Sequence, residues 1–271
     1  MKKKVNIKEI VRQKYSRIAL QSSTSGCCGT SGGVDGVDYS VFSEDYDKTK
    51  GYVPDADLGL GCGIPTEFAG LKPGHHVLDL GSGAGNDCFV ARAEVGDSGW
   101  VTGLDFSGEM LSKAWLNNQK LGFANVDFVE GDIETMPFEN DRYDVIISNC
   151  VLNLVPDKTT AFQQIIRVLK PGGHFCVSDV VIVGDLPDKL RESAEMYAGC
   201  VSGAVQMQEY LDIIEQAGFI NVTINKQKVV HIPDEILKSF LDAKEYDDFK
   251  SGDTGLFSIT VTGYKPVSGM H

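Results

Sequence analysis

At 271 residues, with 42% hydrophobic and 23% charged side chains, the chain can bury the core of one large folded unit, or of one unit with a smaller appendage, and it does not have the composition of a disordered protein. Its net charge of -13 would repel a phosphate backbone, which argues against a nucleic-acid partner. Seven cysteines, an odd number, in a chain too long to need disulfide staples suit reduced thiols and a cytoplasmic setting.

No signal-peptide core follows Lys2-Lys-Lys4, and the longest apolar stretch, 145–155, is too short and too polar to span a bilayer. Apolar residues at Val5, Ile7, Ile10, Val11 and Ile18 predict a helix over 6–20. The small, polar, Gly-rich run 22–33 is expected to be a mobile loop carrying Cys27 and Cys28, and 39–63 a lid or a loop lining a site. From Gly74 the pattern alternates: strands at 76–80, 100–105, 126–131, 143–149 and 173–181, with helices at 87–94, 108–120 and 158–169, the last stopped by Pro171-Gly-Gly173. This alternation predicts an α/β fold with a doubly wound, mostly parallel sheet. A smaller α+β C-terminal part follows, with helices at 188–197, 207–216 and 234–243 and strands at 222–229 and 256–264. The expected division is an N-terminal helix with a mobile Cys-containing lid (1–69), a cofactor domain (70–185) and a C-terminal substrate domain (186–271).

Gly81, Gly83 and Gly85 follow a hydrophobic strand and open a helix, as a nucleotide-binding turn requires. The spacing is G-x-G-x-G, and Asp79 precedes it. A carboxylate there repels a pyrophosphate but suits a cationic ammonium. Asp105 ends the next strand, where it can accept both hydroxyls of a ribose, and Asp132 ends the third, within reach of an adenine amino group. Any one of these acids could simply cap the next helix; three at successive strand ends around one crevice point to a ligand. These residues resemble the class I S-adenosylmethionine (SAM) dependent methyltransferases over about residues 70–185, which implies a Rossmann-like fold and SAM as cofactor. The expected cofactor contacts are Asp79, Gly81, Ser82, Gly83, Gly85, Asn86, Asp105, Phe106, Met110, Asp132, Ile133 and Asn149.

No His–acid pair stands at a strand end to serve as a general base. His75 and His76 fall at the wrong edge of the first strand, and His174 and His231 are isolated. An acceptor with its own lone pair would need no base. Cys150 follows the fourth strand at the edge facing the crevice. Cys62 lies in Gly61-Cys-Gly63 and Cys200 after Gly199, bare backbones that present a thiol more readily than they pack a core, whereas Cys88 and Cys176 suit plain burial. A methyl donor beside several soft sulfur ligands suggests a soft, thiol-loving acceptor.

Gly59-Leu-Gly-Cys-Gly63, Ser148-Asn-Cys-Val-Leu-Asn-Leu154 with Pro156-Asp-Lys158, and Tyr197-Ala-Gly-Cys-Val-Ser-Gly-Ala204 resemble the arsenite methyltransferase family across nearly the whole chain. Ile64 and Leu152 depart from its usual residues without removing a ligand. The resemblance implies As(III) held by Cys62, Cys150 and Cys200, methylated with SAM for arsenic detoxification, with Cys27 and Cys28 as accessory thiols. It also implies arsenite or methylarsenite as the small-molecule substrate and a thiol or thioredoxin-type reductant as co-substrate; no membrane partner and a monomer are expected. The alternatives are a small-molecule C-methyltransferase of the quinone or sterol type, in which the cysteines would be idle, and a metalloid-sequestering protein with a vestigial cofactor site.

Overall fold

The computed structural model describes residues 7–21, 46–187, 203–232, 234–252 and 254–267. Cys27, Cys28 and Cys200, the Gly-rich run 22–33 and the helix expected at 188–197 lie outside the described residues.

Helix α1 spans Ile7–Gln21. The alternating region follows as β1 (His76–Leu80), α2 (Asn86–Val95), β2 (Trp100–Asp105), α3 (Gly108–Leu121), β3 (Val126–Glu130), β4 (Tyr143–Asn149), α4 (Lys158–Val168) and β5 (Leu169–Val183). It continues as α5 (Met207–Gln216), β6 (Ile220–Val230), α6 (Asp234–Phe240), α7 (Ala243–Ser251) and β7 (Gly255–Tyr264). The strands form a seven-stranded sheet in the order β3-β2-β1-β4-β5-β7-β6. Pairings among β1 to β5 are parallel, while β7 runs antiparallel between β5 and β6. The C-terminal strands thus extend the same sheet. The order reverses between β1 and β4, and that switch point opens a crevice at the strands' carboxyl ends.

The local causes are ordinary. β1 is buried from Val77 onward because helices cover both faces of the parallel sheet. Ala161, Phe162, Ile165 and Val168 make one buried stripe on α4. α3 opens on Ser107, whose Oγ accepts the Met110 N–H, and closes on Gly122 at φ +71°.

Two segments depart from the sequence expectation. Pro171-Gly-Gly173 does not stop α4, which ends at Val168. Leu169 is already extended, and the Pro-Gly-Gly run forms an irregularity inside β5, where the register steps from Tyr143↔Leu169 to Val145↔His174. The single helix expected at 234–243 is instead two. Asp242 is extended and forms a capping box with Glu245, so a new helix begins there.

Phe162 lies at the centre of the main core, its ring 5.6 Å from Phe175, 5.7 Å from Tyr210 and 6.4 Å from Phe219. Phe162→Ala should cost about 3–5 kcal/mol, because the ring leaves a cavity that neighbouring rings cannot fill. Urea unfolding should show a lower midpoint at an unchanged slope.

Candidate active site

The crevice at the switch point is lined from β1 and its loop by Asp79, Gly81, Ser82 and Gly83, from β2 by Asp105 and Phe106, and from β4 by Asn149 and Cys150. Gly81 sits at φ +68°, and a Cβ there would lie 2.5 Å from Val151, so no other residue fits the turn. Its N–H and that of Ser82 both donate to Leu104 O, tying the loop to β2. Ser82 Oγ and Asn86 Oδ1 are buried on this wall and take no hydrogen bond from the protein. Polar atoms in that condition suit a polar ligand.

Asp105 shapes the loop as well as facing the crevice. Its Oδ2 accepts the Gly83 N–H at 2.9 Å and its Oδ1 the Ser107 N–H at 2.9 Å. Burial nevertheless pushes its carboxyl up to about 6. Asp79 is fully buried and accepts the Cys88 thiol at 3.2 Å. Burial, then the charge of Asp87, raises it well above the usual carboxylate range. Cys88 is buried core, as expected, and also partners a carboxylate of the crevice. Cys176, expected to be buried likewise, donates to Pro65 O.

Asp87, in the first turn of α2, was not singled out by the sequence. It lines the crevice, accepts the Tyr46 hydroxyl at 2.7 Å, and is pushed up to about 6 by burial. Its one signal was its place directly after the glycine loop. Tyr46 was equally hidden. Asn149 joins the two: its Nδ2 lies 2.7 Å from the Tyr46 hydroxyl, 2.7 Å from Gly63 O and 3.2 Å from Asp87 Oδ2. Its Oδ1 accepts the N–H groups of Cys62 and Gly63 at 3.0 and 3.2 Å.

Those bonds explain the glycines around Cys62. A Cβ on Gly61 would meet Asn149 Nδ2 at 2.6 Å, and one on Gly63 would meet Ser178 Oγ at 2.5 Å. The turn is pressed onto the end of β4 and the interior of β5, and Ser258 of β7 donates to Cys62 O at 2.6 Å. Cys62 and Cys150 share one buried apolar cluster with Val180, Ile182 and Leu256. Cys150 lies at φ +59°, a region that costs a residue with a side chain ~1–3 kcal/mol. Its N–H is held by Ser178 O at 2.7 Å. Among the described residues, no group of three or more His, Cys, Asp or Glu side chains is gathered for a metal ion.

The far end of the crevice holds Met110, Ile133 and Asp132. Asp132 Oδ1 caps the short turn Ile133–Thr135 by accepting the Glu134 N–H, and its Oδ2 accepts Lys8 Nζ at 2.5 Å. Lys8 also pairs with Glu134. Lys8, Val11 and Tyr15 of α1 line this end, a covering helix the sequence placed but did not assign to the site. His174 is structural: its Nε2 lies 2.7 Å from Ala69 O and its ring stacks on Tyr264. No helix among the described residues is long and apolar enough to cross a membrane.

A methyltransferase domain family matches residues 71–218. The chain is 33% identical over 267 residues to the arsenite methyltransferase of Aquipseudomonas alcaligenes, covering 95% of this chain and 72% of that protein. The chain belongs to the arsenite methyltransferase family. It is 40% identical over 229 residues to the arsenite methyltransferase of Halobacterium salinarum, covering 80% of this chain but only 58% of that protein. The crystal structure of an arsenic(III) S-adenosylmethionine methyltransferase from Chlamydomonas reinhardtii superposes with a TM-score of 0.64 at 32% identity, covering 78% of this chain and 69% of that one. The fold is that of the class I SAM methyltransferases.

The buried carboxyls make stability depend on pH. Asp105 binds its proton more tightly folded, at about 6, than at its ordinary value of 3.8, so its contribution is complete below pH 3.8 and is lost as pH rises through 6. At about 1.4 kcal/mol per pH unit, the loss for one such group is ~3 kcal/mol. Ligand-free protein should therefore become easier to unfold in urea between pH 4 and pH 7, and Asp105→Asn should flatten that slope by up to about that amount.

Proposed function

We propose that this chain transfers methyl groups from SAM to thiolate-bound trivalent arsenic, converting arsenite to methylated arsenicals. The observation that carries the reading is the placement of Cys150 in the crevice built by Asp79, Asp105 and the glycine loop, with Cys62 in the same buried cluster as Cys150.

The residues present fit SAM. Asp79, Asp87 and Asp105 form a buried acidic wall whose carboxyls are all raised, and a cationic ammonium beside Asp79 and Asp87 would relieve the cost of ionising them. Asp105 keeps lone pairs for ribose hydroxyls, Ser82 and Asn86 offer their unsatisfied oxygens, and Met110 and Ile133 give an apolar bed for a flat base. When bound, SAM supplies a methyl group on a sulfonium, a leaving group that needs no protonation. An acceptor with its own lone pair would likewise need no general base.

The thiols do the substrate chemistry. Each As–S bond forms as a cysteine proton leaves with a hydroxyl of arsenous acid as water, so the exchange balances without an outside base. Cys62, Cys150 and Cys200 would form a pyramid of soft ligands with the arsenic lone pair on its open side. Gly203, three residues after Cys200, lies so close to Asn153, three residues after Cys150, that a Cβ on it would be 1.8 Å from Asn153 O. The chain just after the proposed third ligand is thereby brought against the chain just after the second. Fixing the lone pair against a donor in a closed crevice lowers the barrier by orientation. The lone pair becomes the new C–As bond, so arsenic leaves two oxidation levels higher. A thiol or thioredoxin-type co-substrate in a reducing, cytoplasmic compartment must return two electrons, and Cys27-Cys28 are the chain's own candidates for relaying them. A C-methyltransferase of the quinone or sterol type would leave Cys62 and Cys150 without work.

S-adenosylhomocysteine production with arsenite and excess thiol tests the proposal. Cys62→Ser, Cys150→Ser and Cys200→Ser should each abolish it while SAM affinity stays within about threefold; full activity of any one variant would break the three-thiolate site. Asp105→Ala should instead weaken SAM binding by roughly 1.5–3 kcal/mol in calorimetry, the range for hydrogen bonds to a charged group.

A further inference from the structure

Cys150 occupies a backbone conformation that persists only where the surroundings over-determine it. Its own N–H accounts for one restraint, the bond to Ser178 O. The others lie beyond it, where the chain makes the short turn Leu152–Leu154, closed by Leu154 N–H to Val151 O and Val155 N–H to Leu152 O. That turn leaves the carbonyls of Asn153 and Val155 facing inward. Lys158, the first residue of α4, donates its Nζ to both, at 3.0 and 3.1 Å.

Lys158 is unusual for a lysine at a helix start. It is only 8% exposed, and burial pulls its ammonium below the usual range. Lysines ordinarily bury the stem and keep the head in water. Here the head is drawn inside, with Asp179 and Glu209 as its through-space counter-charges. Asp179 faces away from Ser178 on β5, accepts the Tyr210 hydroxyl at 2.9 Å, and is helped to stay ionised by the nearby backbone N–H of Asn153. Asn153 is therefore held at its C=O by Lys158, with Asp179 close to its N–H. Gly203 abuts the same carbonyl.

We infer that Lys158 is a positioning residue for Cys150: its buried ammonium holds the Asn153 and Val155 carbonyls and so keeps the thiol's strained backbone turned toward the crevice. The catalytic consequence rests on the arsenic reading, whereas the grip on the turn rests on the hydrogen bonds alone. Lys158 is not among the residues lining the crevice. It acts through the turn that separates it from Cys150.

The test compares Lys158→Met, which keeps the length and loses the donors, with Ile214→Ala, a core change on α5 that lowers the unfolding temperature while leaving every hydrogen bond to the turn in place. Two readouts are taken on full-length protein: the rate of Cys150 alkylation by iodoacetamide, followed by peptide mass spectrometry with Cys88 as internal reference, and kcat/KM for arsenite alongside SAM affinity. Lys158→Met should raise Cys150 alkylation at least threefold relative to Cys88 and cut arsenite kcat/KM tenfold or more. SAM affinity should stay within twofold, and Ile214→Ala should change neither the alkylation ratio nor kcat/KM. Wild-type values in Lys158→Met, or the same losses in Ile214→Ala, would overturn the inference. Lys158→Gln, which keeps one donor group, takes the place of the Met variant if that one does not fold, and the same changes are expected of it. Should the wild-type chain not turn over arsenite at all, the arsenic reading falls, and the alkylation ratio still decides the role of Lys158.

Discussion

The side-chain amide of Asn149 is the joint on which the site depends. One oxygen holds two N–H groups of the Gly61-Cys62-Gly63 turn, and one nitrogen meets Gly63 O, Tyr46 and Asp87. Three stretches that are far apart in sequence are thereby fixed to the end of β4. Each bond is worth only about 1 kcal/mol net, but a buried amide that loses its partners costs more, so the arrangement resists partial loosening. The consequence is chemical. The residue that positions the Cys62 turn also touches the acidic wall of the crevice, so the thiol side and the cofactor side share one geometry.

That coupling gives the two buried environments distinct tasks. On the β1–β2 side, burial raises the carboxyls of Asp79, Asp87 and Asp105, and the charge of Asp87 adds to the effect at Asp79, leaving a wall that gains by meeting positive charge. On the β4–β5 side, Cys62 and Cys150 sit among aliphatic side chains, where a soft centre that needs no water shell is at home. The pleat of β5 separates two supports: Ser178 faces the Cys62 turn, and Asp179 faces the helices that hold the segment after Cys150.

Much of this was legible in the sequence, for physical reasons. Strand limits at His76–Leu80, Trp100–Asp105 and Tyr143–Asn149 follow from apolar runs bounded by turn residues, and the glycine loop announces itself because only glycine fits Gly81. Asp79 was visible because it stands just before the glycine loop, and Asp105 because it ends the next strand. Tyr46, Asp87 and the lining residues of α1 were not, since their roles arise from contacts across tens of residues that no local period encodes. Asn149 was expected at the cofactor; the structure sets it in the crevice wall, where it latches the Cys62 turn. The Pro171-Gly-Gly173 run misled because a helix stop and a strand irregularity use the same residues. The capping box at Asp242 was readable, but the apolar spacing on either side masked it.

The antiparallel insertion of β7 between β5 and β6 has a consequence for the order in which the protein is made. The carbonyl of Cys62 is held by Ser258, 196 positions later in the chain. Emergence from the ribosome is N-terminal first, so the parallel strands and the glycine loop can pair while β7 is still unsynthesised. The turn that seats Cys62 acquires this restraint only once Ser258 has been made. A nascent chain can therefore pair the strands that frame the crevice before it completes the turn that seats Cys62.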